Sequence, residues 1–316
     1  MSKNKRCSKG KSCGATCIHR QKVCRKELGE ISKSLQSVSG AVAGKQPPPV
    51  PQGSPSGGGL SKLESAEDFI KKLASTDGYY SSEISEMHHQ ISRVLGADIT
   101  EGASTKYKDQ NQRIEFAKRR EELFRSLGEG DVNKGRQAAM EAYKGIKDFT
   151  KSAYDEIRQA QFGIMPAGPE RDSYLKQAKS IENLFASKEI NKPKVEKFRG
   201  IMVDNDVLAG MIASARERGS YGGEALSSWS TSLPKAKEFA DNAQFDTFKN
   251  NRVIFRAVNS KGVPIHPISS LLEEYEVLTP SSANYRYLGH RQIKVETEDD
   301  AGKIIATYHV FDVEEF

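Results

Sequence analysis

Glu273-Glu274-Tyr275-Glu276-Val277-Leu278-Thr279-Pro280 is the stretch on which the reading of this chain turns. Val277 and Leu278 give it β character, and Pro280 ends it. Side chains in a strand alternate between faces, so Glu274 and Glu276 are expected to project together while Tyr275 and Val277 point the other way. Two carboxylates on one face repel, an arrangement that is unfavourable unless a positive charge occupies the space beside them. A cationic substrate or transition state would supply it.

Working outward, two further elements share this half of the chain. Ser228-Trp229-Ser230-Thr231-Ser232 precedes Pro234 and a helical run with Ala236, Phe239 and Ala240. Alternation places Ser230 and Ser232 on one side, with Trp229, the single tryptophan, opposite them as a core anchor. Phe198-Arg199-Gly200 puts an arginine and a glycine in an apolar run. Short β-type segments are expected at 195–203, 252–258, 263–268, 275–279, 285–288, 292–297 and 303–313.

The preceding region is helical in its periodicity. Leu63, Ala66, Phe69, Ile70 and Leu73 share one face, as do Ile84, Met87, Ile91, Val94 and Leu95, and a third run carries Ile114, Ala117, Leu123 and Phe124. Two more patterns follow, through Ala139, Ala142, Ile146, Phe149, Ala153 and Ile157, and through Leu175, Ala178, Ile181 and Phe185. Helices first and strands later indicate an α+β protein. His88 and His89 are read as solvated helix residues, and His266 as an exposed loop residue.

The 316 residues carry a formal net charge of +6, placed unevenly. Residues 1–26 hold nine Lys/Arg and no Asp/Glu, while the remaining 39 basic and 42 acidic residues leave the body at −3. Such an end suits nucleic acid, an acidic protein surface or a membrane face, or is simply a solvated terminus. All four cysteines, Cys7, Cys13, Cys17 and Cys24, lie within it. Their spacing lacks the C-x2-C knuckle of common zinc ribbons, so zinc, disulfides and free thiols all stay open. Residues 39–60, rich in Pro and Gly, read as a linker. No apolar run is long enough to span a bilayer, and no apolar segment follows the basic start as a signal peptide would require. The division expected is a basic cysteine tail (1–38), the linker (39–60), a helical region (61–134) and a catalytic domain (135–316).

Taken jointly, an Arg-Gly in a strand, a Ser-Thr-Ser some thirty residues later and a Glu-x-Glu some forty beyond that resemble the arginine-specific mono-ADP-ribosyltransferases. That family is the R-S-E class of exoenzyme toxins and tailed-phage transferases. The resemblance covers residues 135–316 and includes the helix Tyr143-Lys144-Gly145-Ile146-Lys147-Asp148-Phe149-Thr150 with Tyr154, Asp155 and Ile157 after it. It implies two roughly perpendicular antiparallel sheets with NAD bound between them. Arg199, beside Gly200, would contact the NAD phosphates. Ser230 would support the nicotinamide ribose and hold Glu276, with Thr231 and Ser232 fixing the local geometry. Glu276 would be the catalytic glutamate, and Glu274 would orient and deprotonate an arginine on a target protein.

In the family, residues 264–274 correspond to the acceptor-recognising turn, here without an aromatic grip. Tyr221-Gly222-Gly223 is expected as a loop over the cofactor. The resemblance also implies an enzyme acting in the cytoplasm of a host or target cell, packaged in a virion or exported without a signal peptide. The alternatives are an NAD glycohydrolase and a non-enzymatic structural protein of a phage that meets nucleic acid or capsid through its tail.

Overall fold

The computed structural model describes residues 11–13, 16–18, 65–74, 82–101, 107–222, 225–241, 251–299 and 302–316. Two compact units result, divided between Ser65 and Ala66. The first contributes an antiparallel pair, β1 (Lys11–Cys13) and β2 (Thr16–Ile18), in the register Cys13↔Thr16. Of the four candidate zinc ligands, Cys7 and Cys24 lie outside the described residues, as does the 39–60 linker, and Cys13 and Cys17 are described by their backbone pairing. Among the described residues no cluster of three or more His, Cys, Asp or Glu is arranged to hold a metal ion. No described helix is long and apolar enough to cross a membrane.

The second unit, residues 66–316, is α+β. Its helices are α1 (Ala66–Ala74), α2 (Ser82–Leu95), α3 (Gln110–Leu127), α4 (Val132–Asp148), α5 (Tyr154–Gln161), α6 (Pro169–Ala186), α7 (Asn205–Arg216) and α8 (Leu233–Asp241). Aspartates start three of them: Asp109, Asp131 and Asp204 each accept hydrogen bonds from backbone N–H groups of the first turn. Pro169 opens α6, where its missing N–H removes no helical bond.

In α3 the buried face differs from the expected one. Leu123 and Phe124 are buried as expected, but Ile114 and Ala117 are exposed and Phe116 is buried in their place. Arg120 in this helix donates from its guanidinium to Val94 O and Arg93 O at 2.9 Å and so caps the carbonyls at the end of α2. His88, expected in solvent, is fully buried.

The strands are β3 (Lys194–Val203), β4 (Ser220–Gly222), β5 (Ser227–Ser230), β6 (Asn251–Lys261), β7 (Val263–Pro264), β8 (Glu276–Thr279), β9 (Asn284–Asp299) and β10 (Gly302–Glu315). They form a single ladder in the order β4-β9-β10-β6-β3-β5-β8-β7, antiparallel except for β10 beside β6. The connection between β3 and β5 is one residue pair, Phe198↔Ser230. The ladder thus consists of a five-stranded and a three-stranded layer joined at that point.

The five-stranded layer is covered on both faces. Phe69 and Leu73 of α1 and Leu233, Ala236 and Ala240 of α8 pack on Phe198, Ile254 and Tyr308. Leu208 and Ala215 of α7 pack with Trp229, Phe255 and Phe311 on the other side. The three-stranded layer joins the helical core, where Ile91, Val94 and Leu95 of α2 and Ile146 of α4 share one cluster with Val263, Ile265 and Leu278. Helices in 66–127 and the strands therefore share cores.

Three segments depart from the expected strands. The run at 263–268 is strand only over Val263–Pro264 and continues as a 3-10 turn (His266–Ile268). Those at 285–288 and 292–297 are one strand, β9, running through Gly289, with the register shift opposite Asp312/Val313. Tyr221 and Gly222 are paired in β4 with Tyr285 and Asn284, so they form a strand where a loop was expected; Gly223 lies outside the described residues.

One glycine sets how closely helix and sheet approach. A Cβ on Gly200 would sit 1.7 Å from Ala236 O and 2.8 Å from Ala240 N, so α8 reaches β3 only because position 200 has no side chain. Gly200→Ala must push α8 off β3, a strain of about 1–3 kcal/mol. A thermal unfolding scan of the variant should show a clearly lowered midpoint, and an unchanged midpoint would refute the close approach.

Candidate active site

A cavity of about 510 Å³ opens where the two layers join. That is within the roughly 300–1,000 Å³ range of small-molecule and cofactor sites. Arg199 and Gly200 of β3, Ser230 of β5, Glu274 and Glu276 all line it. Residues separated by 31 and by 44 to 46 positions in the sequence thus meet at one surface. Thr231 and Ser232, the other two predicted residues, are buried just behind. The walls also include the rings of Phe149, Tyr154, Phe198, Trp229 and Phe239, and the charged Lys151 and Asp155.

The two glutamates reach the cavity by a route different from strand alternation. Glu274 closes a 3-10 turn (Leu272–Glu274), and β8 begins at Glu276. Tyr275 between them is left-handed, at φ 48° and ψ 47°, a conformation uncommon for a residue with a bulky side chain. One residue of reversed twist therefore does what a pleat cannot do at the start of a strand.

Hydroxyl groups fasten this turn. Ser230 Oγ donates to Glu274 O at 2.6 Å and accepts from Ser232 N–H at 2.9 Å. The Thr231 N–H donates to Tyr275 O at 3.2 Å, and its hydroxyl reaches the same oxygen at 3.4 Å. Ser232 is not on the strand: it precedes α8, and its Oγ accepts from Lys235 N at 3.3 Å, as an N-cap does. Ser230 is the cross-strand partner of Glu276, yet the side chain of Glu276 is held elsewhere. Ser269 Oγ donates to Glu276 Oε2 at 3.0 Å, and Ser228 supplies a second hydrogen bond. Neither residue is singled out in the sequence: alternation back along the strand from Ser230 would have found Ser228, whereas Ser269, in a turn, carries no such signal.

The helical side contributes a second set of fastenings. Between α4 and α5 the helix widens into a π-turn (Phe149–Ala153), where the sequence periodicity predicts an unbroken helix. Its Thr150 Oγ1 accepts from Ser270 N at 2.9 Å, and Ser270 Oγ donates to Lys147 O at 3.1 Å, tying the 266–274 segment to the helix. Just beyond, the Tyr154 hydroxyl accepts from Arg199 Nη2 at 2.9 Å and so orients the guanidinium. Phe149 packs edge-on against Tyr154 at 5.0 Å. Trp229 is buried as expected and packs on Tyr285 and Phe255. His266 is half-buried and stacks on Tyr275.

Both carboxyls are harder to ionise than usual. Burial raises Glu276, which is only 2% exposed, above its ordinary value, with the Ser228 and Ser269 hydrogen bonds acting in the opposite direction. Glu274 is pushed up to about 7 by burial first and by the neighbouring Glu276 charge second, while Lys235 pulls it down. The arrangement offers a guanidinium suited to phosphate oxygens, apolar rings for planar groups, and two poised carboxyls aimed at one space.

No family model and no curated protein matches the chain. Among solved structures, the ADP-ribosyltransferase Vis in complex with an inhibitor is similar at a TM-score of 0.47 and 17% identity, over 79% of this chain and 89% of that one; a second Vis structure gives its source as Vibrio splendidus. The ADP-ribosyltransferase HopU1 of Pseudomonas syringae pv. tomato is similar at 0.42 and 14%, over 75% and 99%. Exoenzyme S of Pseudomonas aeruginosa, bound to human 14-3-3 protein beta and carba-NAD, is similar at 0.36 and 14%, over 55% and 73%. Likenesses this remote do not assign an activity to the chain.

Burial of Glu276 has a measurable sign. Its folded-state pKa is raised above the ordinary 4.5. The penalty is absent below that value and grows as pH rises through it towards the folded-state pKa. Glu276→Gln keeps an acceptor oxygen but carries no charge. Its thermal midpoint should match the parent at acidic pH and exceed it at neutral pH; a variant less stable than the parent at neutral pH would contradict the assignment.

Proposed function

We propose that the chain is an NAD-dependent mono-ADP-ribosyltransferase that moves ADP-ribose from NAD to arginine side chains of target proteins and releases nicotinamide. The observation that carries this reading is the meeting of Arg199, Ser230, Glu274 and Glu276 at a single cavity. The hydrogen bonding of the Ser-Thr-Ser segment to the backbone of residues 274 and 275 supports it.

In this reading Arg199, steadied by Tyr154, pairs with the phosphates of NAD. The bond between nicotinamide nitrogen and ribose C1′ breaks, and its electron pair leaves with the ring, which becomes neutral. Positive charge develops on the ribose, as in glycoside cleavage. Glu276, hydrogen-bonded to a ribose hydroxyl, stabilises that charge more than it stabilises the ground state, and this difference lowers the barrier. Ser228 and Ser269 keep its carboxylate aimed.

Glu274 faces the same space and takes a proton from the incoming guanidinium as the new C1′–N bond forms. A pKa near the working pH suits that duty, since the group can both accept and release a proton. Arginine as acceptor fits the carboxylate at 274, a natural partner for a guanidinium fork. The polybasic residues 1–26 would direct the enzyme to nucleic acid or a capsid surface. Its setting would be a phage or toxin system, with the cytoplasm of the host or target cell as the site of action.

The test measures nicotinamide release and labelling of a guanidino acceptor separately. Glu276→Gln should reduce nicotinamide release on the order of 10²–10³-fold, and retention of parental release would end the proposal. Glu274→Gln should abolish labelling of the acceptor while leaving NAD hydrolysis measurable. Transfer by the parent should rise through about pH 7 as Glu274 ionises, and hydrolysis by Glu274→Gln should lack that rise. Nicotinamide release by the parent without labelling of any acceptor would instead identify a glycohydrolase.

A further inference from the structure

We propose that His266 and His88 are positioning residues for the glutamate turn: their rings form a stack that carries the fixed position of α2 to Tyr275 and so sets the angle between Glu274 and Glu276. The catalytic part of the inference rests on the transferase reading; the structural part does not.

Tyr275 holds a left-handed conformation, and a residue so placed persists only when its surroundings over-determine it. Two contacts do so here. Its carbonyl accepts two hydrogen bonds from Thr231. Its ring lies nearly parallel to that of His266, with centroids 5.1 Å apart and planes 18° apart. His266 in turn meets His88 edge-on at 5.3 Å and 75°.

The far end of this stack is set in the core. His88 is fully buried on α2, and Ile91, Val94 and Leu95 of that helix lie in the same core as Ile265 and Ile268, which flank His266 and its short turn. The near end meets both glutamates. His266 opens the 3-10 turn (His266–Ile268) that leads directly to Ser269, the donor to Glu276 Oε2. Tyr275 follows Glu274 and precedes Glu276. Burial pushes His88 down to about 3 and lowers His266, which favours neutral rings that meet edge-on without charge repulsion. Helix α2 lies outside residues 135–316, the stretch expected to hold the catalytic machinery.

The experiment compares His266→Ala, His266→Phe and His88→Leu in the full chain. Misplacing a reacting group by about 1 Å costs on the order of 10²-fold in rate. His266→Ala should therefore lower kcat for transfer by that order with KM for NAD nearly unchanged. His266→Phe keeps a flat ring in place and should recover activity to within about threefold of the parent. His88→Leu fills the volume without presenting a ring edge; it should give a partial loss that adds nothing to His266→Ala in the double variant, as expected of residues acting through one contact chain.

A readout independent of activity is amide exchange at Thr231 and Ile265, whose N–H groups donate to Tyr275 O and Glu276 O. Both should exchange faster in His266→Ala and at the parental rate in His266→Phe. Parental exchange in His266→Ala, or a loss of activity confined to KM, would overturn the proposal. A parent that turns over no NAD would remove the functional reading, and the exchange measurement would still decide whether the stack positions the turn.

Discussion

Two carboxyl groups separated by a single residue, both turned into one cavity and one of them nearly inaccessible to water, are the constraint on which the rest of this site depends. Burial raises both groups, and the neighbouring Glu276 charge raises Glu274 further. The chain offsets this in kind. Hydroxyl donors from Ser228 and Ser269 meet the deeper carboxylate, and the shallower one keeps Lys235 within electrostatic reach. The compensation is incomplete, so both carboxyls stay above their ordinary values.

The architecture explains why the hydroxyl-rich segment is where it is. The five-stranded and three-stranded layers share one residue pair, and one member of that pair is Ser230. A side chain at such a joint can reach backbone groups that a regular ladder would already have consumed. Ser230 reaches Glu274 O, Thr231 reaches Tyr275 O, and Ser232 is released to begin α8. Across the joint, Gly200 lets α8 lie against β3 beside Arg199. The arginine, the serines and the glutamates are thus consequences of one junction, each meeting a different demand of it.

Much of this was legible before any coordinates. Arg199, Ser230, Glu274 and Glu276 could be named because their joint order and spacing resemble a known family's, and the buried stripe from Ala139 to Ile157 because its period is helical. The mechanism of convergence was not legible. Alternation put both glutamates on one face of a strand, whereas a left-handed Tyr275 does it, and no local rule assigns that conformation to a tyrosine. Gly289 looked like a break because the pairing that carries the strand past it, with Leu288 as the extra residue opposite Asp312/Val313, is made with β10 some twenty residues away. Helix α7 was overlooked even though Asp204 is a good N-cap, because the apolar residues around it also suit strands. His88 was misplaced for a related reason: among its neighbours is His266, 178 positions later in the chain.

The elevated pKa of Glu274 also ties charge to occupancy. Near neutral pH the free site holds Glu274 only partly ionised. A cation entering beside it favours the charged form and lowers the pKa, and each unit of that shift corresponds to about 1.4 kcal/mol of interaction. Linkage is reciprocal, so a cationic ligand must bind more tightly as pH rises through the range in which Glu274 titrates, and its arrival must release a proton. A neutral ligand of the same shape gains nothing from that range. The pair of acids therefore selects for positive charge before any chemistry begins, and does so because the fold leaves the second carboxyl reluctant to ionise alone.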